Sequence, residues 1–404
     1  MSAALNTSPH PARASGSGSG NNNNSNSNTM LEAHIHHPLR VTLHRILIPT
    51  PRASEVLIKV HVSGSNPKDW KRPVWNAEYN GTNQGDDIAG VVAAVGSAVT
   101  QFRPGDRVAA LHHLQTPGGS YAEYAIAPEH TTFHIPASTT FEEAATIPLA
   151  AMTAALGLFV QLGLPEPWVA NAHPDNLPKG GIVIYGAASA VGAFAVQLAR
   201  RAGIHPIIAV AGNGIPFVQS LLKTDTNISA FANNESGGDV IVDYRKGNDS
   251  VVNEIRAAVP KGQKLQYAFD AVSDGAKSSY ANICKAFSSQ EEQGSDHGAG
   301  DGSPRLTMVL PAAHDDPDIP RTVQKSLTMV SSVFGPDKDF GYAWFRLLEL
   351  GLKDGWFRPH PYQVVPGGLD GIEEGLKDLK DGKASATKYV FRIAETKELS
   401  ERAG

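Results

Sequence analysis

The order of apolar and polar positions divides the chain into two regimes. Between Glu55 and about Phe133, short apolar runs are broken by glycine, proline and aspartate: EVLIKVHVSGSNP, DDIAGVVAAVG, PGDRVAAL and YAEYAIAP. Such segments predict strands joined by tight turns, and so a β-rich half. Leu31 to Ile35 and Val41 to Ile48 carry branched aliphatics and predict two strands upstream. From Phe141 the segment FEEAATIPLAAMTAALGLFVQLG opens with carboxylates and continues with alanine-rich apolar spacing, which predicts helix. Strand-like and helix-like segments then alternate: GGIVIYG, SAVGAFAVQLARRAG, HPIIAVAG, FVQSLLK, DVIVDYR, VVNEIRAAV and LQYAFDAV. That alternation predicts an α/β unit with a parallel, doubly wound sheet. A strand in LTMVLPA follows, then helices in AWFRLLELGLKDG and LDGIEEGLKDLKDG and a closing strand in KYVFRI. Trp344, Phe345, Trp356 and Phe357 are spaced as aromatics of a helix core.

Composition narrows the class. With 404 residues, 41% of them hydrophobic, the chain has enough apolar residues for more than one globular unit. Thirty-five Lys and Arg against 40 Asp and Glu give a net charge of -5, which favours neither a nucleic-acid backbone nor an anionic membrane as partner. A small-molecule substrate is the expectation. The single Cys284 forms no internal disulfide and cannot build a multi-cysteine zinc site, which fits a reducing compartment. Residues 1–29 end in SGSGSGNNNNSNSNT and are expected to be a disordered tail. They lack the apolar core of a secretory signal and the repeated arginines of a transit peptide. No later stretch approaches the roughly 18 consecutive apolar residues of a membrane span, so a cytoplasmic location is expected. Residues 286–305, containing SSQEEQGSDHGAGDGSP, are expected to be a surface insertion.

The strongest local motif runs from Ile182 to Arg200. A strand, IVIYG, leads into AASAVGAFAVQLAR, with Gly186 at the tight turn, Ser189 in the middle position and Gly192 where a helix must approach the strand closely. Ala188, Ser189, Ala190 and Val191 would present a helix N-terminus to a phosphate. The middle glycine of the strict GxGxxG is replaced by Ser189, and the surrounding βαβ alternation supports a dinucleotide site. Twenty residues beyond Gly192 the chain reaches Gly212, with no carboxylate near it in sequence to receive a ribose 2′-hydroxyl. Asn213, Tyr244, Arg245 and Lys246 are the polar groups expected there, and they favour NADPH over NADH.

Taken in order, NPKDW, GDDIAGVVAAVG, PGDRV, GGSYAEY, FEEAATIPLAAMTAAL and YGAASAVGAFAVQLA resemble the medium-chain dehydrogenase/reductase superfamily. Within it the chain resembles the zinc-free quinone oxidoreductase branch. The stretches DYR, YAFDAVS and WFRPHPYQVVPGGLDGIEEGLKDLKDGKASATKYVFRI are similar to fungal trans-acting enoyl reductases of polyketide pathways. The resemblance spans roughly Met30 to Ile393. It implies a GroES-like catalytic domain of residues 30–157 completed by 331–404, with a Rossmann NADPH-binding domain of residues 158–330 inserted between them. It also implies that Asn66, Pro67 and Asp69 contact the nicotinamide end, that Thr153 faces the nicotinamide amide or ribose, and that Lys388, Tyr389 and Val390 occupy the place from which relatives reach the cofactor again. Ala271 and Val272, and Leu310 and Pro311, follow sheet strands at the carboxyl ends where such a sheet receives its ligand. A polyketide synthase served in trans is an implied partner, and a monomer or homodimer the implied assembly.

A catalytic zinc in this superfamily needs a cysteine after the first strand and a Gly-His-Glu element in the next. Here those positions read Ser65-Asn66-Pro67 and Gly85-Asp86-Asp87, so no metal site is expected. His112 and His113, and the cluster His34, His36 and His37, are expected to be exposed or hydrogen-bonded. Zinc would polarise a carbonyl; without it the substrate must delocalise the charge itself, which favours an enone, enoyl thioester or quinone. Lys68 and Tyr79 are the candidate proton donors. An aldehyde or carbonyl reductase, or a cofactor-binding sensor with little turnover, are the alternative readings.

Overall fold

The computed structural model describes residues 28–223, 238–273, 278–288 and 302–403. The chain opens with the hairpin β1 (Thr29–His36) and β2 (Arg40–Leu47), so Asn28 and Thr29 belong to ordered structure rather than to the expected tail. Residues 1–27 lie outside the described residues. The β-rich half supplies β3 (Glu55–Gly64), β4 (Asp87–Val95), β5 (Arg107–Leu111), β6 (Tyr124–Pro128) and β7 (Thr132–His134). The second regime supplies β8 (Ile182–Tyr185), β9 (Ile207–Ala211), β10 (Val240–Asp243), β11 (Tyr267–Asp270), β12 (Arg305–Met308) and β13 (Gln324–Leu327). Near the C-terminus come β14 (Tyr362–Val364) and β15 (Lys388–Arg392).

The helices are α1 (Pro67–Trp75), α2 (Phe141–Ala144), α3 (Pro148–Ala155), α4 (Pro167–Ala172), α5 (Ala190–Arg201), α6 (Ile215–Leu222) and α7 (Asn248–Ala258). After them come α8 (Ser279–Ser288), α9 (Lys338–Asp354), α10 (Ile372–Lys380) and α11 (Lys397–Ala403).

Strands β8 to β13 form one parallel sheet in the order β10-β9-β8-β11-β12-β13, with the order of strand addition reversing between β8 and β11. In an open sheet of this kind the ligand crevice lies at that reversal, outside the carboxyl ends of the strands. A second, seven-stranded sheet combines β3, β4, β5, β6 and β7 with β14 and β15 from the far end of the chain. Strand β15 pairs antiparallel to β3, Val390 opposite Gly64, which brings the C-terminus beside the NPKD segment that follows β3. The architecture is therefore α/β in two parts.

Four elements depart from expectation. Strand β13, QKSL, is polar because it is an edge, where the exposed Lys325 discourages further pairing. Both edges of the insertion expected over 286–305 are regular structure: Ala286 and the buried Phe287 lie in α8 and Arg305 opens β12, while residues 289–301 lie outside the described residues. Trp356 and Phe357 are not on α9, which ends at Gly355 in a left-handed conformation. The helical run Phe141–Gln161 is long and apolar enough to cross a membrane, but an 18-residue window within it is 89% buried inside the protein, where it packs between the two sheets as core.

Candidate functional site

The glycine turn has the tight local geometry expected of it. Gly186 sits at φ 77°, open to glycine at little cost, and a Cβ there would lie 2.6 Å from Val272 Cγ2. A Cβ at Gly192 would lie 2.2 Å from the Gly186 carbonyl oxygen, so α5 approaches β8 as closely as only glycine allows. Ser189, standing in place of the middle glycine, is the N-cap: its Oγ accepts from Gly192 N at 3.1 Å. That leaves the N–H groups of Ala190 and Val191 at a helix N-terminus, free of intrahelical acceptors. Gly186, Ala188, Ser189, Ala190 and Val191 are all half-buried, lining an open surface. Ala271 and Val272 flank it from β11, tied in by Ala271 N to the Tyr185 carbonyl at 3.0 Å. Leu310 and Pro311 follow β12 alongside, where Val309 N donates to Ser273 Oγ at 2.8 Å.

At the carboxyl end of β9, Gly212 has no room for a side chain because the Tyr244 ring lies 2.5 Å from its would-be Cβ. Tyr244 is nearly half exposed. Here the sequence count misled. A carboxylate is present, contributed by the neighbouring strand: Asp243 pairs in register with Ala211. It is not free, since Arg245 Nη2 and Nε hold its two oxygens at 2.7 and 2.8 Å. The Arg245 hydrogen bonds hold the Asp243 carboxyl down at about 2. Arg245 Nη1 reaches on to Asn213 Oδ1 at 2.9 Å, so the guanidinium lies over the loop after β9. Lys246 turns away to Glu254.

The second cluster lies at the start of α1. Asn66 N donates to Asp69 Oδ2 at 2.8 Å and Pro67 takes the first helical position, which fixes the turn after β3. Asp87, fully buried, receives Asn66 Nδ2 at 2.7 Å, Lys388 Nζ at 2.5 Å and Leu149 N at 2.7 Å. Lys388 Nζ also reaches the Thr146 carbonyl at 3.3 Å. Thr153, one turn along α3 from Leu149, donates to its carbonyl at 2.7 Å. Tyr389 and Val390 are core side chains, and the Tyr389 carbonyl holds Ser65 N at 2.9 Å.

Lys68, expected as a proton donor, has its ammonium engaged on every side. It bonds Asp69 Oδ1 at 2.5 Å, the Gln84 carbonyl at 2.7 Å, and Asp86 Oδ2. An ammonium has three N–H groups, and these are its three acceptors. Burial alone would raise the Asp86 carboxyl, but Lys68, His112 and Arg72 outweigh it and hold it far below the usual range. Burial dominates at Asp69 and raises it, against Lys68 and the Tyr121 hydroxyl, which donates at 2.6 Å. Tyr79 is tied to the cluster through its carbonyl, which accepts from Gln84 Nε2 at 3.2 Å.

The structure thus gathers the expected residues into two groups, one at the carboxyl ends of β8 to β12 and one around Asp87. The sequence alone did not mark Asp87, Asp86, His112 and Tyr121 as members. His112 Nδ1 lies 2.8 Å from Asp86 Oδ1 in a buried pair, whereas on the β1–β2 hairpin His36 and His44 share Thr42 Oγ1 and His34 bonds Glu32. Among the described residues no group of three or more His, Cys, Asp or Glu is arranged to hold a metal ion.

Comparison with known proteins places this geometry. Residues 52–137 match the alcohol dehydrogenase GroES-like domain family. A trans-enoyl reductase of Gibberella fujikuroi is 42% identical over 341 residues, covering 84% of this chain and 91% of its own. The chain belongs to the trans-enoyl reductase family. A trans-enoyl reductase of Aspergillus sclerotiorum is 30% identical over 377 residues, covering 87% of this chain and 96% of its own. Among solved structures, the CurK enoyl reductase superposes with a TM-score of 0.65 at 19% identity, covering 89% of this chain and 98% of its own. The quinone oxidoreductase of Coxiella burnetii gives 0.60 at 18% identity, covering 91% and 99%. These neighbours share its two-part fold; with the GroES-like match and the reductase relatives they place the chain in the medium-chain dehydrogenase/reductase superfamily, whose fold implies a nicotinamide cofactor.

Proposed function

We propose that this trans-enoyl reductase family member reduces the carbon–carbon double bond of a conjugated carbonyl, such as an enoyl thioester or enone, with NADPH as donor and no metal at the reacting carbonyl. The observation that carries the reading is that the glycine turn at 186–192 is linked, through His360 and Thr146, to a polar cluster whose buried carboxylates already hold ammonium groups. The cofactor, when bound, supplies the hydride. The chain's residues do the rest.

The Ala190 and Val191 N–H groups offer donors and a favourable helix dipole to a diphosphate. Arg245 over Asn213 supports a phosphorylated ribose, since Asp243 satisfies only part of the guanidinium and Nη1 faces the β9 loop. Asn66 and Thr153, fixed by Asp87 and Leu149, support the nicotinamide end. Hydride arriving at the far carbon of a conjugated carbonyl places charge on its oxygen, which then needs donors rather than a Lewis acid. Lys68 serves there as a fixed positive charge, and Tyr79 is the remaining candidate to deliver a proton. The relatives' designation as trans-enoyl reductases supports a substrate handed over by a separate synthase.

The test follows cofactor absorbance against enoyl thioesters, enones, quinones and aldehydes with NADPH and NADH. Oxidation of NADPH by enoyl thioesters or enones is expected, and Arg245→Ala should cut the preference for NADPH about tenfold, the loss of one charge-assisted contact. Preference for NADH, or turnover confined to aldehydes, would overturn it.

A further inference from the structure

The segment Phe357-Arg358-Pro359-His360-Pro361 leaves α9 at Gly355 and enters β14 at Tyr362, so it is the crossing from the parallel half back to the mixed sheet. It is pinned to α5 on the way. Arg358 N donates to Gln197 Oε1 at 2.9 Å, and Gln197 Nε2 donates to the Arg358 carbonyl at 3.1 Å. Phe357 stacks on Phe194 of the same helix, ring centroids 5.2 Å apart. The next contact is His360, 2% exposed, with the Phe217 ring edge-on at 5.1 Å. His360 N donates to Thr146 Oγ1 at 3.1 Å, and its ring Nε2 lies 3.2 Å from the Ala188 carbonyl oxygen.

Those two contacts join the two groups of site residues. Thr146 is the residue whose carbonyl accepts from Lys388, the partner of Asp87. Ala188 lies within the glycine turn, and its carbonyl shares one planar peptide unit with Ser189 N–H. That N–H is bonded back to the Gly186 carbonyl at 2.8 Å. The peptide unit is therefore gripped at both ends, by Gly186 and by His360, immediately before the helix N-terminus.

We propose that His360 is a positioning residue: through Ala188 it sets the plane of the phosphate-binding turn, and through Thr146 it keeps that turn in register with Lys388, Asp87 and Asn66. The proposal rests on the reading of 186–192 as a nicotinamide dinucleotide site. Burial, with the nearby Lys388 charge, pushes the imidazole down to about 4, so the ring is neutral at pH 7 and carries one N–H. Two carbonyls compete for it, Ala188 at Nε2 and Pro361 at Nδ1, the latter 2.9 Å away. The proposal requires the proton on Nε2.

The experiment compares the full-length protein with His360→Phe, which keeps a ring and loses the donor, and His360→Gln, which keeps an amide donor. The Phe variant should bind NADPH about tenfold more weakly, the cost of one buried hydrogen bond, and show faster hydrogen exchange over residues 186–192. The Gln variant should recover most of both. Nitrogen chemical shifts of the wild-type imidazole should report the Nε2–H tautomer, and this reading survives even if the Phe variant fails to fold. Unchanged affinity and exchange in the Phe variant, or a proton on Nδ1, would overturn the proposal. A wild-type protein that binds NADPH yet reduces no double bond would defeat the functional reading alone, because binding and exchange need no turnover. If the wild type binds no nicotinamide nucleotide, the exchange difference over 186–192 and the tautomer still decide.

Discussion

Asp87 is the residue on which the site turns. A buried carboxylate without a partner costs several kcal/mol, and here Lys388 supplies the counter-charge while Asn66 and Leu149 fill the remaining acceptor positions. Replacing one member leaves the other buried and unpaired. Lys388→Met should lower unfolding free energy by about 3–5 kcal/mol, whereas Lys388→Met with Asp87→Asn should recover part of that. Urea unfolding of the two variants checks it; a loss below about 1 kcal/mol for the single change would show that the pair is not buried as described. The sequence made Asp86 and Asp87 visible as residues standing where zinc ligands would be. It did not show that lysines occupy the space, because Lys388 lies 301 residues from Asp87 and meets it only through the pairing of β15 with β3. Lys68 was visible as a cation beside an aspartate, but not that Asp69, Asp86 and Gln84 use up its donors.

At the scale of elements, the β8–turn–α5 unit is the one most fully written in the chain. Apolar IVIY, a glycine where φ is positive, a serine that caps and a glycine where helix meets strand are all local requirements. A methyl group at 192 would meet the Gly186 carbonyl oxygen, so even Gly192→Ala must push α5 away from β8. That variant should lose about 1–3 kcal/mol of stability and most of its affinity for a nicotinamide dinucleotide, while Ser189→Ala should lose about 1 kcal/mol with binding weakened less. Thermal unfolding and cofactor titration of the pair test this; equal behaviour of the two would remove the close-approach explanation. Elements that lacked a local signature went unread. Strand β13 is polar because it is an edge, and α8 spends serine and asparagine on Asp270 and Asn248 rather than on a continuous apolar stripe.

The whole molecule has a feature that its two sheets conceal. One apolar core runs through both: Val62, Ala109 and Phe133 of the mixed sheet, the helical run from Phe141 to Gln161, Phe194 of α5, Ile184 and Ala209 of the parallel sheet, and Trp344 and Phe345 of α9. Residues sharing a core this way cannot lose their neighbours separately without exposing apolar surface on the other side. Unfolding is therefore expected as a single transition, with tryptophan fluorescence and far-ultraviolet circular dichroism coincident in denaturant. Two resolved transitions would mean the shared core does not couple the halves.

The sequence by itself determined what depends on neighbours along the chain: the strand and helix periods, the glycine turn with its capping serine, and the absence of cysteine and histidine where a superfamily zinc would need them. These follow from backbone geometry and side-chain type over a few residues, so no distant contact is required to see them. Only the tertiary structure decided which charges pair, that Asp243 arrives beside Ala211 from another strand, and that His360 joins the turn to the Asp87 cluster. Such contacts are set by how the two sheets close on a common core, and a buried charge finds its partner in space, at a distance along the chain that no local pattern encodes.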